Sequence, residues 1–532
     1  MEEDSQSKTH TESQIFLSTR GGDYGLSFET VVLKGLAPDG GLFLPHEIPT
    51  AADWRSWKDL SYEQLALRIF SLYISSSEIP TDDLKGIIDR SYSTFRVKDV
   101  APLVHLQDDH LYLLELFHGP SYSFKDCALQ FLGNLFEYFL VRKNHGKEGK
   151  ADRHHLTVVG ATSGDTGSAA ICGLRGKKDV SVVILHPKGR VSPIQEAQMT
   201  TCADTNVYNL AVAGTFDDCQ DILKALFSDP DTNQALRLGA VNSINFSRIL
   251  AQVVYYFYSY FNLVKTSNNI KLGDKGDILA GYFATRMGLP VDKLVIATNE
   301  NDILDRFWKT GRYEKKPARG PEADGGLDVD GAKAHEDGVK ETLSPAMDIL
   351  VSSNFERLLW FLAYEFATTV GMDEEFTRKQ AGQEVSAWLK DLKEKGGFGP
   401  VHKEILDNAR KSFESERVSD PQTLETIKTF YGKTGYILDP HSAVGVTAAT
   451  RSMQRAASDI PHISLSTAHP AKFAGAVELA LKDKEGFSFE KEVLPQEFIG
   501  LEEKPKRVTD IENDWKAVRE WIKEQIDKEL SS

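Results

Sequence analysis

The sequence predicts an α/β protein with mostly parallel sheets and covering helices, preceded by a small N-terminal α/β domain. Short apolar runs typical of buried strands, at 156–159, 180–185, 293–297 and 462–465, alternate with longer stretches of helical pattern. After Val159 comes a loop rich in Gly, Ser and Thr, and then a small-residue run typical of a helix. Ligands of such folds lie at the carboxyl ends of strands, where loops meet helix N-termini. The loop after Val159 is therefore a candidate ligand site.

The composition excludes several classes of partner. The chain has 532 residues, enough for two or three domains, and its 41% hydrophobic content is ordinary for a globular protein. The net charge of −16 argues against nucleic acid and anionic membranes, because both need basic surfaces. No stretch reaches the ~20 apolar residues of a membrane helix. Four cysteines without a C-x-x-C pair, and an acidic start without a secretory or transit signal, predict a cytoplasmic protein.

Composition also divides the chain into segments. Residues 1–12 are polar and are expected to be disordered, 13–100 form the small N-terminal domain, and 101–490 carry the chemistry. Within this part, 314–341 is rich in Gly and charged residues, which predicts a disordered surface insertion. A tolerated insertion is favoured there over a partner-binding segment. The C-terminal segment 491–532 is expected to be helical and packed on the body of the protein, or less simply to form a subunit interface. Five of its apolar residues recur at helical spacing: Ile511, Trp515, Val518, Ile522 and Ile526.

One lysine begins an otherwise apolar stretch. Lys125 comes just after the turn Gly119-Pro120-Ser121. Burial lowers the pKa of a lysine and makes its amine nucleophilic, as a Schiff-base lysine requires. By itself this segment favours a lysine whose charged end reaches water. The loop after Val159 changes that balance, because its hydroxyls and N–H groups suit an anion at a helix start, although they can also be ordinary helix caps. Together the two segments predict an aldehyde cofactor on Lys125 and an anionic substrate.

Further motifs, in a family's order along nearly the whole chain, carry a resemblance: Ser18–Gly21, Lys34–Pro45, His186–Pro193, Gly239–Asn245, Ala297–Asp302, Leu438–Gly445 and Ser464–Phe473. On these residues the chain resembles the fungal-type threonine synthases. These are pyridoxal-phosphate (PLP) enzymes of fold type II, the fold of the tryptophan synthase β subunit. The resemblance implies that O-phospho-L-homoserine and water become L-threonine and phosphate through a PLP Schiff base on Lys125, in the last step of threonine biosynthesis. A monomer or homodimer is expected.

The resemblance also assigns single residues. Lys125 holds the cofactor, and the Thr467 hydroxyl meets its ring nitrogen, whereas the residue alone favours a cap for the next helix. Asp165 would repel a phosphate, so it is assigned a structural or amine-contacting role. For Asn242 and Arg248, backbone and salt-bridge roles stay open. The residues expected to contact substrate are Thr162, Ser163, Asp165, Thr166, Asn242 and Arg248.

One segment departs from the family. Its members have an apolar strand leading into Gly-Asn-Phe-Gly-Asp, which holds the cofactor phosphate. The aligned residues here are Gly273, Asp274, Lys275, Gly276 and Asp277, and little of the strand precedes them. A carboxylate beside a phosphate costs roughly 4 kcal/mol per pair of unit charges at ~4 Å and an effective dielectric constant of ~20. Either this is a variant with weakened cofactor binding, or a few residues are absent through a misread coding region.

Two other functions stay open. A related phospho-lyase would share every motif but release a 2-oxo acid and ammonia in place of threonine. A non-catalytic protein of the same fold, acting through its acidic insertion, is the alternative that the altered 273–277 segment favours. The histidines of the matched motifs show no common metal-ligand spacing, so no metal site is predicted. They are His118, His186, His441 and His469.

Overall fold

A computed structural model describes residues 14–106, 110–149, 152–266, 281–316, 338–369, 373–456 and 460–531, with backbone alone at 277–278 and 333–334. The predicted disorder of residues 1–12 and of most of 314–341 lies outside the described residues. So do four of the five residues aligned with the phosphate-holding loop, Gly273, Asp274, Lys275 and Gly276.

The N-terminal part consists of an antiparallel sheet of order β2-β1-β3 and three helices: β1 (Phe16–Ser18), β2 (Tyr24–Leu26), α1 (Phe28–Lys34), β3 (Phe43–Pro45), α2 (Tyr62–Phe70) and α3 (Thr81–Tyr92). Ser27 caps the start of α1, and Ser61 forms a capping box with Gln64 at α2. The rings of Phe16 and Phe246 lie 5.2 Å apart between centroids. The N-terminal part therefore shares one hydrophobic core with the part that follows.

The following part alternates strands and helices. Its first half contains β4 (Leu103–His105), β5 (Leu111–Glu115), α4 (Asp126–Lys143), β6 (Leu156–Ala161), α5 (Asp165–Leu174), β7 (Val180–Pro187), α6 (Pro193–Thr200), β8 (Val207–Val212), α7 (Phe216–Ser228), α8 (Pro230–Leu236), β9 (Leu238–Ala240) and α9 (Phe246–Thr266). Its second half contains β10 (Asp277–Ile278), α10 (Tyr282–Arg286), β11 (Leu294–Thr298), α11 (Ile303–Thr310), β12 (Tyr313–Glu314), β13 (Lys333–Ala334), β14 (Lys340–Glu341), α12 (Phe355–Thr369), α13 (Glu374–Lys395), β15 (Gly397–Phe398), α14 (Lys403–Ala409), β16 (Phe413–Arg417), α15 (Asp420–Thr434), α16 (Pro440–Arg455), β17 (His462–Ser466), α17 (Ala474–Leu481), α18 (Phe489–Glu492), β18 (Thr509–Ile511) and α19 (Trp515–Ser531).

The larger sheet has five strands in the order β18-β8-β7-β6-β9, and every pairing in it is parallel. All residues of β6 and β7 are buried, as expected for strands covered by helices on both faces. The predicted fold class, α/β with mostly parallel sheets, is confirmed. Within the described residues no helix combines the length and the apolar character that a membrane span needs.

The second sheet has the order β10-β17-β5-β4, in which only β4 runs antiparallel. Asp277 lies opposite His462, the first residue of β17, whereas Thr467 follows the last. This differs from the prediction that Asp277 belongs to a phosphate-holding loop. Since the sequence retains little of the preceding strand, residues 277–278 take the strand's position beside β17. The backbone of Asp277 is thereby on the order of ~16 Å from Thr467 along the strand.

The C-terminal segment contains an element that the sequence did not predict. The expected amphipathic helix is α19, with Val518, Ile522 and Ile526 buried in the core that it shares with α7. Ile511 was assigned to the helical pattern but lies in β18, which pairs with β8. Three residues with two polar side chains, Thr509-Asp510-Ile511, give no strand signal by themselves. The neighbouring strand decides their conformation.

Candidate active site

The Lys125 segment and the end of β17 are held together by backbone contacts. The Phe124 N–H donates to the Thr467 carbonyl oxygen at 2.8 Å, and Ser123 forms a bridge with Ala468. Strands β5 and β17 are parallel neighbours in the sheet, so the segments that follow them leave the sheet at the same edge. Lys125 and Thr467, which the sequence places far apart, therefore lie beside each other at the carboxyl ends of parallel strands.

A tight turn presents Lys125 at the start of α4. Asp126 Oδ2 accepts a hydrogen bond from the Ser121 N–H at 2.8 Å and so closes the turn. A Cβ atom at Gly119 would lie 2.3 Å from the Asp126 Cβ, so only glycine fits there. Tyr122 takes a φ of 61°, in the left-handed region that non-glycine residues rarely adopt. This tight turn before α4 fixes the position of Lys125 at the carboxyl ends of the strands.

Lys125 is nearly buried, with 12% of its side chain exposed. Burial, aided by the charges of Lys472 and Arg248, lowers the pKa of its amine to about 8. The Asp165 carboxylate opposes this shift only in part. Such an amine is partly uncharged near neutral pH and can act as a nucleophile and as a base.

Asp165 lies between two lysines. Its Oδ2 is 3.8 Å from Lys125 Nζ, and its Oδ1 is 2.7 Å from Lys472 Nζ. Gln195 Nε2 donates to Oδ1 at 2.8 Å. Burial alone would raise the pKa of Asp165, but the two ammonium groups outweigh it and hold the pKa well below the ordinary value. The Asp165 carboxylate thus contacts two lysine amines, and its predicted role, structural or amine-contacting, stays a prediction.

The hydroxyl groups of the loop from β6 to α5 differ in their hydrogen bonding. Thr162 Oγ1 accepts from the N–H groups of Gly164 at 2.9 Å and Gly167 at 2.8 Å, so it caps the helix start. The geometry does not support the predicted substrate contact of Thr162. Ser163 and Thr166 are partly exposed, and their hydroxyls form no hydrogen bond within the part of the chain that is described. Ser163 also faces a cleft of about 1070 Å³.

Arg248 is a buried cation at the start of α9, with 4% of the residue exposed. Its Nη1 donates to the Val241 carbonyl oxygen at 3.2 Å, while its Nε has no partner among the described residues. Burial lowers its pKa to about 10. The Oδ1 atom of Asn242 is likewise buried without a described partner. Because a buried charge without a counter-ion is costly, Arg248 suits an anionic ligand, whereas the Asn242 Oδ1 atom suits a ligand group that donates a hydrogen bond.

Thr467 rests on a hydrogen-bonded network at the start of α16. Ser442 Oγ accepts from the Thr467 N–H at 3.2 Å and contacts Ser466 Oγ at 2.9 Å, and Asp439 accepts from Ser442. The Thr467 hydroxyl has no hydrogen bond in the described part of the structure and lines a small cavity with His441. The free hydroxyl of Thr467 fits the ring nitrogen of PLP, and the amine of Lys125, whose segment is bonded to the same strand end, fits the aldehyde.

Sequence reasoning missed Lys472 and Gln195, which hold Asp165. Lys472 is fully buried, with 0% of its side chain exposed. It lies in the apolar stretch from Pro470 to Ala474. The signal that singled out Lys125, a lysine within an apolar stretch, was therefore present here too.

Within the described residues, the four histidines of the matched motifs belong to no cluster that could bind a metal. His118 contacts Glu115, and His441 contacts Asp439. Among the described residues, the side chains placed to share an ion are His46, Glu47 and Glu374 near the N-terminal sheet. The Arg378 guanidinium lies 2.6 Å from His46 Nε2, so a positive charge already occupies that neighbourhood.

Three protein families match successive parts of the chain. The family of the threonine synthase N terminus matches residues 15–92, that of the pyridoxal-phosphate dependent enzymes 97–349, and that of the threonine synthase C-terminal part 442–522. A threonine synthase of Schizosaccharomyces pombe is 54% identical over 499 residues, which are 92% of this chain and 94% of that protein. The chain belongs to the threonine synthase family.

Solved structures of threonine synthases agree. The crystal structure of threonine synthase from yeast aligns with a TM-score of 0.86 and 50% identity over 97% of this chain and 99% of that one. A PLP-bound threonine synthase from Brucella melitensis aligns with a TM-score of 0.80 and 37% identity over 96% and 99% of the two chains. The chain is thus a threonine synthase of PLP fold type II, a PLP-dependent lyase of threonine biosynthesis. The predicted family, fold class, enzyme class and cofactor are confirmed.

Proposed function

We propose that this threonine synthase converts O-phospho-L-homoserine and water into L-threonine and inorganic phosphate. One observation carries the proposal. A buried lysine of lowered pKa, Lys125, lies close enough to a buried unpaired arginine, Arg248, for the arginine charge to lower that pKa further. The first group suits an amino acid bound to an aldehyde cofactor, and the second suits a substrate that carries an anion.

The cofactor lysine has two tasks. PLP, when bound, draws electrons from the substrate Cα and makes its hydrogen acidic. Lys125 would hold PLP, and its amine would take the proton from the substrate Cα and return one there when the product forms. A pKa of about 8 suits both directions of transfer. The Thr467 hydroxyl would meet the ring nitrogen and, unlike a carboxylate, would not keep it protonated.

The anion groups act on the phosphate that leaves from Cγ. Arg248 neutralises its charge, and the hydroxyls of Ser163 and Thr166 donate to its oxygens at the start of α5. Asn242 contacts the substrate from the end of β9. The Cγ–O bond to phosphate breaks, Cβ loses one proton and Cγ gains one, and the elements of one water molecule end as the Cβ hydroxyl of threonine and a proton on phosphate.

Further assignments belong to the same proposal. The resemblance alone assigns the cofactor phosphate to Gly273, Asp274, Lys275, Gly276 and Asp277. The observed position of Asp277 opposite His462, at the other end of β17 from Thr467, does not favour its part in this assignment. A cytoplasmic location stays a prediction, to which the four free cysteines add support. A monomer or homodimer also stays a prediction.

Product identification tests the proposal. The purified protein is incubated with PLP and O-phospho-L-homoserine, and products are identified by NMR, with Lys125→Ala as the inactive control. Threonine and phosphate in equal amounts support the proposal. A 2-oxo acid with phosphate identifies the phospho-lyase, and threonine from Lys125→Ala refutes the role of the lysine. A protein without turnover and without the visible absorbance of bound cofactor matches the non-catalytic alternative.

A further inference from the structure

Lys472 is a second buried lysine at the site, in the single helical turn Pro470–Phe473 after β17. Its Nζ lies 2.7 Å from Asp165 Oδ1, donates to the Ser121 carbonyl oxygen at 2.9 Å, and lies 3.4 Å from Ser168 Oγ. An ammonium group taken from water needs such partners, because an unpaired one is strongly destabilising. The proposed reaction steps do not use this amine.

The carboxylate of Asp165 connects this amine to the cofactor lysine. Its Oδ1 accepts from Lys472 and Gln195, and its Oδ2 faces Lys125 at 3.8 Å. One oxygen is therefore anchored while the other is left to orient the reactive amine. Without Lys472, the full negative charge of Asp165 would face Lys125 alone and favour the protonated amine.

We propose that Lys472 is a positioning residue that fixes Asp165 opposite Lys125 and, through its own charge, favours the uncharged and reactive form of the Lys125 amine. The proposal rests on Lys125 as the cofactor lysine. Four charged groups face that amine: Asp165 from α5, Lys472 from the turn after β17, Arg248 from α9 and Asp126 from α4. Burial lowers its pKa most, the two carboxylates oppose the shift, and the two cations add to it.

The test measures the pH at which Lys125 loses its proton in the full-length protein freed of cofactor. Reductive methylation with carbon-13 formaldehyde gives each lysine an NMR signal, and the signal that Lys125→Ala lacks belongs to Lys125. Above its titration midpoint the amine is uncharged and reactive. We expect Lys472→Met to raise this midpoint by roughly one pH unit or more, and Lys472→Arg to leave it near the wild-type value, because arginine keeps the charge.

Two further variants complete the design. Lys177→Met is the matched control, because Lys177 pairs with Glu137 at 3.2 Å outside the site and should leave the midpoint unchanged. The double variant Lys472→Met with Asp165→Asn removes both members of this ion pair, and its midpoint should fall below that of the wild type, because the lost carboxylate acts on Lys125 more strongly than the lost ammonium.

Either of two results would overturn the proposal: an unchanged midpoint in folded Lys472→Met, or a midpoint above the wild-type value in the double variant. Neither measurement uses O-phospho-L-homoserine. A failure of this inference is therefore distinguishable from a failure of the proposed reaction.

Discussion

At the scale of single residues, Arg248 offers the sharpest test of substrate charge. Its buried guanidinium meets no carboxylate within the described residues, and a phosphate would supply two acceptor oxygens to its planar fork. We expect Arg248→Met to lower kcat/KM for O-phospho-L-homoserine roughly 10- to 100-fold, as hydrogen bonds to charged groups imply. Arg248→Lys should recover only part of this loss, because an ammonium lacks the fork. Steady-state kinetics measures both.

The control for Arg248 is an exposed cation. Lys188 pairs with Asp510, and 57% of its side chain is exposed. Lys188→Met should leave kcat/KM unchanged, since exposed ion pairs contribute little and are screened. If Arg248→Met lowered thermal stability yet left kcat/KM at the wild-type value, Arg248 would be a structural residue only.

Asp274 gives a second residue-scale prediction. The family has an amide where this chain has a carboxylate, and a carboxylate repels the cofactor phosphate. We expect Asp274→Asn to tighten PLP binding by tenfold or more, measured by the visible absorbance of bound cofactor at increasing PLP. Asp483→Asn, on a different part of the chain, removes one negative charge as a control. Equal PLP affinity in Asp274→Asn and wild type would place residue 274 away from the phosphate.

Single residues also show where sequence reasoning ends. Lys125 was predictable only together with the loop after Val159, because its own segment favours a lysine whose charged end reaches water. Its partner Asp165 was not predictable from sequence. Asp165 approaches Lys125 only because the carboxyl ends of β5 and β6, which lie in different sheets, come together in the fold. Thr162 shows an ambiguity that sequence leaves open. A hydroxyl beside a helix start can cap the helix or bind a ligand, and only the structure shows the bonds from Gly164 and Gly167 that make it a cap.

At the scale of elements, the contact between α4 and α5 sets the distance between Lys125 and Asp165. A Cβ atom at Gly133 would lie 2.0 Å from the Gly173 carbonyl oxygen. Lys125 precedes α4 and Asp165 begins α5, so forcing the two helices apart separates the two side chains. We expect Gly133→Ala to lower the free energy of unfolding by roughly 1–3 kcal/mol or more and to weaken PLP binding. Chemical denaturation and PLP titration measure these effects.

A glycine with room around it provides the control. A Cβ atom at Gly432 in α15 would meet only the flexible end of Lys484, at 3.1 Å. Gly432→Ala should therefore raise stability by about 0.5–1 kcal/mol, because alanine is the better helix former. Equal effects of Gly133→Ala and Gly432→Ala would contradict the close helix contact.

The strands show why element prediction succeeded unevenly. The runs at 156–159, 180–185, 293–297 and 462–465 correspond to β6, β7, β11 and β17, because buried parallel strands are continuous apolar stretches. Strand β18 was missed, since its residues extend only through their pairing with β8. The local sequence does not indicate a pairing with such a distant strand.

At the scale of the whole molecule, the C-terminal segment completes the larger sheet and its core. Ile522 of α19 is fully buried against the hydrophobic cluster around α7. We expect Ile522→Ala to lower the free energy of unfolding by roughly 2–5 kcal/mol, the usual cost of a cavity left by a buried isoleucine. Denaturation followed by circular dichroism and by activity should give coincident transitions, because the segment shares the core of the catalytic part.

Ile499 is the matched control, with 55% of the residue exposed. Ile499→Ala should change stability by no more than about 0.5 kcal/mol. Separate transitions, in which activity survives the loss of α19, would show that residues after 508 fold as an independent unit. The fold class was predictable from alternating strands and helices. The division of the strands into two main sheets was not, since it depends on pairings between distant segments.

The hydrogen bond between Phe124 and Thr467 has a consequence for how the protein is made. On the ribosome, β5 emerges early, whereas its inner neighbour β17 follows only after residue 461 has been synthesised. Until then the nascent chain carries an unpaired strand edge next to its reactive lysine, and such edges invite wrong pairing. The site closes only in the last stage of translation, so a chain released before residue 472 would be inactive and in need of a chaperone.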